Sequence, residues 1–430
     1  MTQHAPSRAK GLTRRGALSL AGAAAGAGAI TGFPTIWAQT IKDIVIQHAG
    51  PPVTAIPAIA EQASKDLGFT IKMQASENAD LLNRFLSQSS AIDCADISMT
   101  FLRYVVGRDI LQTIPVAKVK DWDKTIPLFT KGEYPDGRKA SRQGVMPLNV
   151  IYAADPSGKK VTDGVPTEFL TGVPTVTNAD TLGIRPDLVG RSITSWADLL
   201  DPAFKGKSAL QDQPSVGVID VALALEARGD IKYANKGNMT KEEIDKTIKV
   251  MTDVKKSGQF RSFWGSFDQS VNLMASGEVV IQSMWSPAVA AVRSRGIACT
   301  YQPLKEGFRG WGYTFGIMKH VSGMKLDAMM DYMNWYTSGF QGAFIARQGY
   351  YAAQPENARK FLTAAEWDYW YGGKPAATDI LNPFGKLQEK AGAVRDGGGF
   401  WDRLGNIAVW NTVMDEDRYL TRKWNEFITS

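Results

Sequence analysis

The 430-residue chain has two cysteines and three histidines, and these scarcities remove whole classes of chemistry. Cys94 and Cys299 allow at most one bridge, so no disulfide framework holds the fold, and two separate buried thiols suit the composition better. His4 lies in the leader described below. Neither His48 nor His320 has a second His or a Cys at metal-ligand spacing. We therefore expect no metal site, no cofactor and no catalytic residue. There is no Gly-x-Ser-x-Gly elbow. Gly206-Lys207-Ser208 imitates the end of a phosphate loop, but Asp201 stands where the first glycine is required. Gly397-Gly398-Gly399 has no strand before it and no Lys or Ser/Thr directly after it, so it reads as a flexible connection.

What is present begins with an address. Arg14-Arg15 precedes the weakly apolar run AGAAAGAGAI, the pattern of a twin-arginine export signal, with Ala38 as the cleavage residue. Glycine and alanine make this run too poorly hydrophobic for a membrane anchor. Arg8, Lys10, Arg14 and Arg15 carry four of the six excess positive charges. The mature chain is then near +2, which gives no electrostatic reason to expect nucleic acid. Its length and 44% hydrophobic content suit two domains with separate cores.

Short β-rich runs at 41–50, 69–76 and 95–100 alternate with the helical patterns TAIPAIAEQASKDLG and ENADLLNRFLSQ. That alternation predicts a parallel, helix-covered sheet whose ligand site lies at the strands' carboxyl ends. His48, Ser98 and Thr100 fall there. The texture turns to loops from about 110. Farther on, GVPTVTNADTLG is a strand-like run broken by Asn178 and Asp180, and Ser195 with Asp198 forms a capping box. SALQD is a strand, and SVGVIDVALALEA and KEEIDKTIKVMTDVKKS are helices. In the stretch 263–316, Trp264, Trp285 and Trp311 each sit where an element gives way to a loop. Tryptophans in such places line clefts as readily as cores.

Several segments resemble periplasmic solute-binding proteins of the spermidine/putrescine type. They are SITSWADLLDPAFKGK, ASGEVVIQSMWSPAVAAVRSRG, YQPLKEGFRGWGY and ARQGYYAAQPENARKFL, in consistent order over most of 41–430. The resemblance implies an α/β, two-lobed, type II binding-protein fold. Each lobe would be a central sheet flanked by helices, closing over ligand as a hinged clamp. Lobe 1 would be discontinuous. Residues 1–38 would be signal, 39–177 the first part of lobe 1, 178–310 lobe 2, and 311–430 the return with the C-terminal helices. The segments 172–183 and 307–316 would be the crossings. Residues 138–171 look like an addition.

The resemblance further implies a periplasmic monomer that serves an ABC importer by delivering a small organic ligand to permease subunits in the inner membrane. Trp285, Trp311 and Tyr350 match aromatic positions that surround the ligand, and Ser98 matches a serine after the third strand. The family's carboxylates are missing. Tyr313 stands where an acid follows the return tryptophan, and Gln213 and Val216 replace two others. Asp180 and the neighbouring Asp212 become the candidate ammonium partners, while Thr100, His48 and Tyr313 would donate or accept hydrogen bonds and Trp264 would stack. A buried ammonium without a carboxylate costs several kcal/mol, so an amine with one cationic nitrogen fits better than a polyamine. A zwitterion would need a cation from Arg261, Arg309 or Arg347. The other readings are spermidine or putrescine binding proper, an exported two-domain enzyme with perturbed titratable groups in the cleft, and a ferric-ion carrier using Tyr350 and Tyr351.

Overall fold

The computed structural model describes residues 41–430; the leader and its cleavage site lie outside them. The chain opens with β1 (Val45–Gly50), α1 (Pro57–Leu67), β2 (Thr70–Ala75), α2 (Asn78–Ser87), β3 (Cys94–Ser98) and α3 (Met99–Val106). β1 pairs in parallel with both β2 and β3. Met99 and Thr100, placed in the third strand by the sequence pattern, instead form the first turn of α3, because the Ser98 hydroxyl caps it by accepting from Thr100 N at 3.3 Å.

β4 (Val173–Ile184) is buried at every position and serves two sheets in turn. Its residues 173–180 pair with the later strand that returns to β3, and residues 181–184 pair with a strand of the second half. That second half comprises β5 (Ser208–Gln211), α4 (Pro214–Arg228), α5 (Lys241–Lys256), β6 (Phe260–Trp264), α6 (Phe267–Ser276), β7 (Ile281–Met284) and α7 (Ser286–Arg293). β8 (Phe308–Met318) then returns antiparallel to both β3 and β4. The order across the sheet is β2-β1-β3-β8-β4-β7-β5-β6. It is two parallel α/β layers joined through two long antiparallel strands, the two-lobed architecture of binding proteins.

Local sequence explains the helices that fix each half. α4 is apolar all round and buried from Ser215 to Leu225, as an interior helix must be. α5 is amphipathic and closes with a capping box between Thr240 and Glu243. Its acids lie in the first turn and Lys255 and Lys256 in the last, complementing the helix dipole. The Ser195–Asp198 box is also formed, but it opens a 3-10 turn rather than an α-helix.

The apolar interior is divided accordingly. One cluster joins α1–α3 and β1–β3 to α8 (Gly323–Tyr336), and others lie under β5–β7. The tail departs from the sequence expectation. β9 (Ile407–Trp410) pairs in parallel with the start of β8, and α9 (Asp417–Thr429) leaves the first half altogether. Its stripe Leu420, Trp424 and Phe427 is buried in the second cluster, at the i, i+4, i+7 spacing of one helix face. The chain thus passes between the halves a third time, at 411–416. Of residues 138–171, the start lies against β9 and the second half, where Ser141 Oγ donates to Ala408 O at 2.6 Å and Gly144 N donates to Asn235 Oδ1 at 2.8 Å, while Leu148, Val150 and Ile151 join the first-half core. Cys94 and Cys299 are both buried and unbridged.

Candidate ligand-binding site

A cavity of about 240 Å³ opens between the two halves, with the crossing strands β4 and β8 as its floor. The carboxyl ends of β3, β5 and β7 lead directly into helices beginning there, so helix N-termini point their partial positive charge inward. Of these, α4 and α7 have no side-chain cap, leaving first-turn donors for a ligand's oxygens.

The aromatic walls come from both halves. Trp311 on β8 meets Tyr313 at 5.4 Å and Tyr350 at 5.6 Å between ring centroids, both edge-on. Across the cavity, Trp285 stacks beside Phe267 at 6.3 Å with an interplanar angle of 12°. Burial raises the Tyr313 and Tyr350 phenols above their ordinary pKa, so both are neutral hydrogen-bonding groups. Tyr313 OH lies 3.0 Å from Asn78 Nδ2 and 3.1 Å from its Oδ1.

Asp180 lies in the floor and is fully engaged. Its Oδ1 accepts from Tyr301 OH at 2.9 Å, and its Oδ2 accepts from Trp311 Nε1 at 2.7 Å and sits 3.4 Å from an Arg309 terminal nitrogen. Arg309, on β8, donates through Nε to Asp220 of α4 at 2.7 Å and through Nη1 to Asn411 at 2.8 Å. Burial opposes the charge on Arg309, yet Asp220 and Asp180 hold its pKa above the usual value; burial pushes the Asp180 carboxyl up against the pull of Arg309. Together the trio ties both crossings, α4 and the third passage into one buried cluster. Two carboxylates share one guanidinium, and both Asp180 oxygens are taken by protein donors rather than turned to a ligand.

Of the sequence candidates, Trp285, Trp311, Tyr313, Tyr350, Ser98, Thr100 and Asp180 line this cavity, and His48, Trp264 and Asp212 do not. Strand alternation puts His48 with Ile46 on the buried face of β1. There its Nδ1 is 2.7 Å from Tyr332 OH and its Nε2 is 3.2 Å from Asp96. Trp264 is entirely buried behind Trp285, edge-on at 5.0 Å. Asp212 turns away to α9, accepting from Trp424 Nε1 at 2.9 Å. Among the arginines only Arg309 reaches the cavity; Arg261 pairs with Glu278 and Arg347 with Glu366. Tyr351 points away from Tyr350, its hydroxyl accepting from Arg395 Nε at 3.1 Å, so the two phenols do not converge as a ferric-ion site requires.

Sequence reasoning missed Glu77, Asn78, Gln211 and Gln348, all on the cavity wall. Glu77 and Asn78 begin α2 just after β2, the same strand-end position that drew attention to Ser98. Gln211 ends β5. The rule that found three residues would have found Glu77, Asn78 and Gln211 had it been applied to every strand, but not Gln348, which follows the helix Phe340–Ala346.

A family model for bacterial extracellular solute-binding proteins matches residues 58–368. The chain belongs to that family. A comparison with curated protein sequences finds no match. Solved structures share the fold of this solute-binding protein at low identity. A protein from Listeria monocytogenes assigned to spermidine/putrescine ABC transport has a TM-score of 0.62 at 14% identity, covering 89% of this chain and 98% of its own. The spermidine/putrescine substrate-binding protein of Streptococcus pneumoniae gives 0.57 at 13%, covering 90% and 97%. The A. tumefaciens R10 protein AgtB, solved with agropinic acid, gives 0.56 at 14%, covering 90% and 99%. No described helix is long and apolar enough to cross a membrane.

Proposed function

We propose that this protein is the substrate-binding component of an ABC-type importer. It is exported by the twin-arginine route, captures a small amine-containing solute in the periplasm, and presents it to the membrane permease. The lobes meet near residues 177 and 311, with α9 docked on lobe 2 rather than lobe 1. Family membership and the assignment of structural neighbours to ABC transport support this reading. A solute-binding role also suits a cleft walled mainly by rings and neutral amides, whose one acid–base cluster, Asp180 with Arg309, is bonded within the protein.

The observation that carries the ligand class is the state of the cavity's carboxylates. Both Asp180 oxygens are occupied by protein donors, and the other acid on the wall is Glu77, exposed near its rim. One ammonium set against the faces of Trp285 and Trp311 can be neutralised by Glu77. Each ring face contributes about 0.5–2 kcal/mol. A second or third ammonium inside the cleft has no free carboxylate and costs several kcal/mol. A monoamine or quaternary amine therefore fits this site, and a polyamine does not.

Thermal melting of the mature protein against monoamines, quaternary amines, amino-acid conjugates and polyamines tests the proposal. Ligand at a hundred times its Kd stabilises by about 2.7 kcal/mol, a clear shift in Tm. A shift with singly charged amines is expected. A shift with spermidine or putrescine alone would overturn the charge argument.

A further inference from the structure

A second, smaller cavity of about 30 Å³ lies behind the same two loops that carry Trp285 and Tyr350; Ser286 and Gly349 are on its wall. That volume admits one water-sized or halide-sized occupant. Its walls are unusual in charge. Arg395 and Arg403 both line it, 5% and 1% exposed, and neither has a carboxylate partner. Arg395 donates to Tyr351 OH at 3.1 Å and to Gly349 O at 3.1 Å, and its guanidinium lies over the Trp370 ring at 4.5 Å. Arg403 donates to Ala179 O at 2.8 Å and Asn178 Oδ1 at 3.2 Å on β4. The third lining arginine, Arg293 on α7, is already claimed by Glu389 and Asp396. Three guanidiniums and two carboxylates leave one positive charge uncompensated in a desolvated place.

The cavity's unmet hydrogen bonds have the same sign. Arg403 Nε and Trp370 Nε1 are buried without any acceptor, and both residues line this space; among the lining side chains no buried acceptor is left without a donor. A water there could accept both bonds, but the side-chain carboxylates it could donate to, Glu389 and Asp396, are already engaged by Arg293. An occupant that only accepts, and carries one negative charge, meets every deficit together.

We propose that this cavity binds a single small monovalent anion, chloride in size and charge, between Arg403, Trp370 and Arg395. The anion joins α7 and Tyr301 of the second half to the 349–403 segment of the first. It therefore braces from behind the two loops that present Trp285 and Tyr350 to the cleft.

The test uses the full mature chain with chloride, bromide and gluconate salts at matched ionic strength, so that general screening cancels. Gluconate is too large for the cavity. Tm is expected to rise by about 2 °C or more from gluconate to saturating chloride. Crystals grown in bromide should give an anomalous peak within hydrogen-bond reach of Arg403 Nε and Trp370 Nε1. Trp370→Phe keeps an aromatic ring and removes one donor, and should raise the chloride concentration needed for half the shift about tenfold. Equal melting in chloride and gluconate overturns the proposal, whether or not bromide is seen, since an ion without a stabilising effect is adventitious only. So does a chloride response unchanged in Trp370→Phe.

Discussion

Arg309→Met is the substitution that most sharply tests how the two halves are joined. Arg309 is 1% exposed and holds Asp220, Asn411 and Asp180 through three different nitrogens. Its removal leaves two buried carboxylates facing a space without a cation. Breaking a buried ion pair from one side costs about 3–5 kcal/mol, and methionine restores packing but no charge. The loss depends on pH. Without the guanidinium, burial and mutual repulsion lift at least one carboxyl further above its unfolded value of about 3.9. The folded variant then binds more protons than the unfolded chain, so its stability falls as pH rises through that lifted value. Urea unfolding followed by circular dichroism should show a larger deficit at pH 8 than at pH 5. Adding Asp220→Asn should return about 1–3 kcal/mol of coupling. A deficit below about 1 kcal/mol, or one of equal size at both pH values, would refute the buried trio.

Other outcomes follow from the same geometry. Trp285→Ala, at the half-buried cleft wall, should weaken amine binding by about 2- to 30-fold, the range set by one cation–π contact; calorimetry measures it. Asp212→Ala removes the acceptor of the Trp424 indole, so Tm should fall while affinity stays within about twofold, because a bond to α9 carries no ligand contact. Trp424→Ala, at a fully buried site, should cost about 3–5 kcal/mol in urea unfolding. Burial raises the Cys94 thiol well above its ordinary pKa and pushes Cys299 up to about 12. Both should resist a thiol reagent in the native protein at pH 8 and react once it is unfolded. Rapid native labelling of either would contradict their burial.

The α/β alternation was legible from local pattern, whereas the crossings and the ligand-facing aromatic positions came from the resemblance to binding proteins. Strand, loop and helix succeed one another within a few residues, and a tryptophan at such a junction is visible in sequence. What sequence could not give was side-chain direction. His48 and Ser98 both lie toward strand ends, yet strand alternation buries one under α8 and leaves the other at the cavity. Asp212 and Gln213 are adjacent, and the indole of Trp424, more than two hundred residues away, decides that the acid faces α9. The pairing of Asp180 with Arg309 likewise depends on the register between β4 and β8. That register turned a presumed ligand carboxylate into a structural one. α9 was assigned to the wrong half because its apolar stripe tells that it docks, not where.

In the proposed complex the cleft holds one cationic nitrogen against Trp285 and Trp311, with Glu77 as its counter-charge. A crystal structure with the amine that gives the largest melting shift addresses this directly. The nitrogen is expected in the cavity between the two halves, within about 6 Å of the indole centroids, with Asp180 still bonded to Trp311 and Tyr301. A ligand ammonium paired with Asp180 in place of those donors, or bound away from both rings, would contradict it.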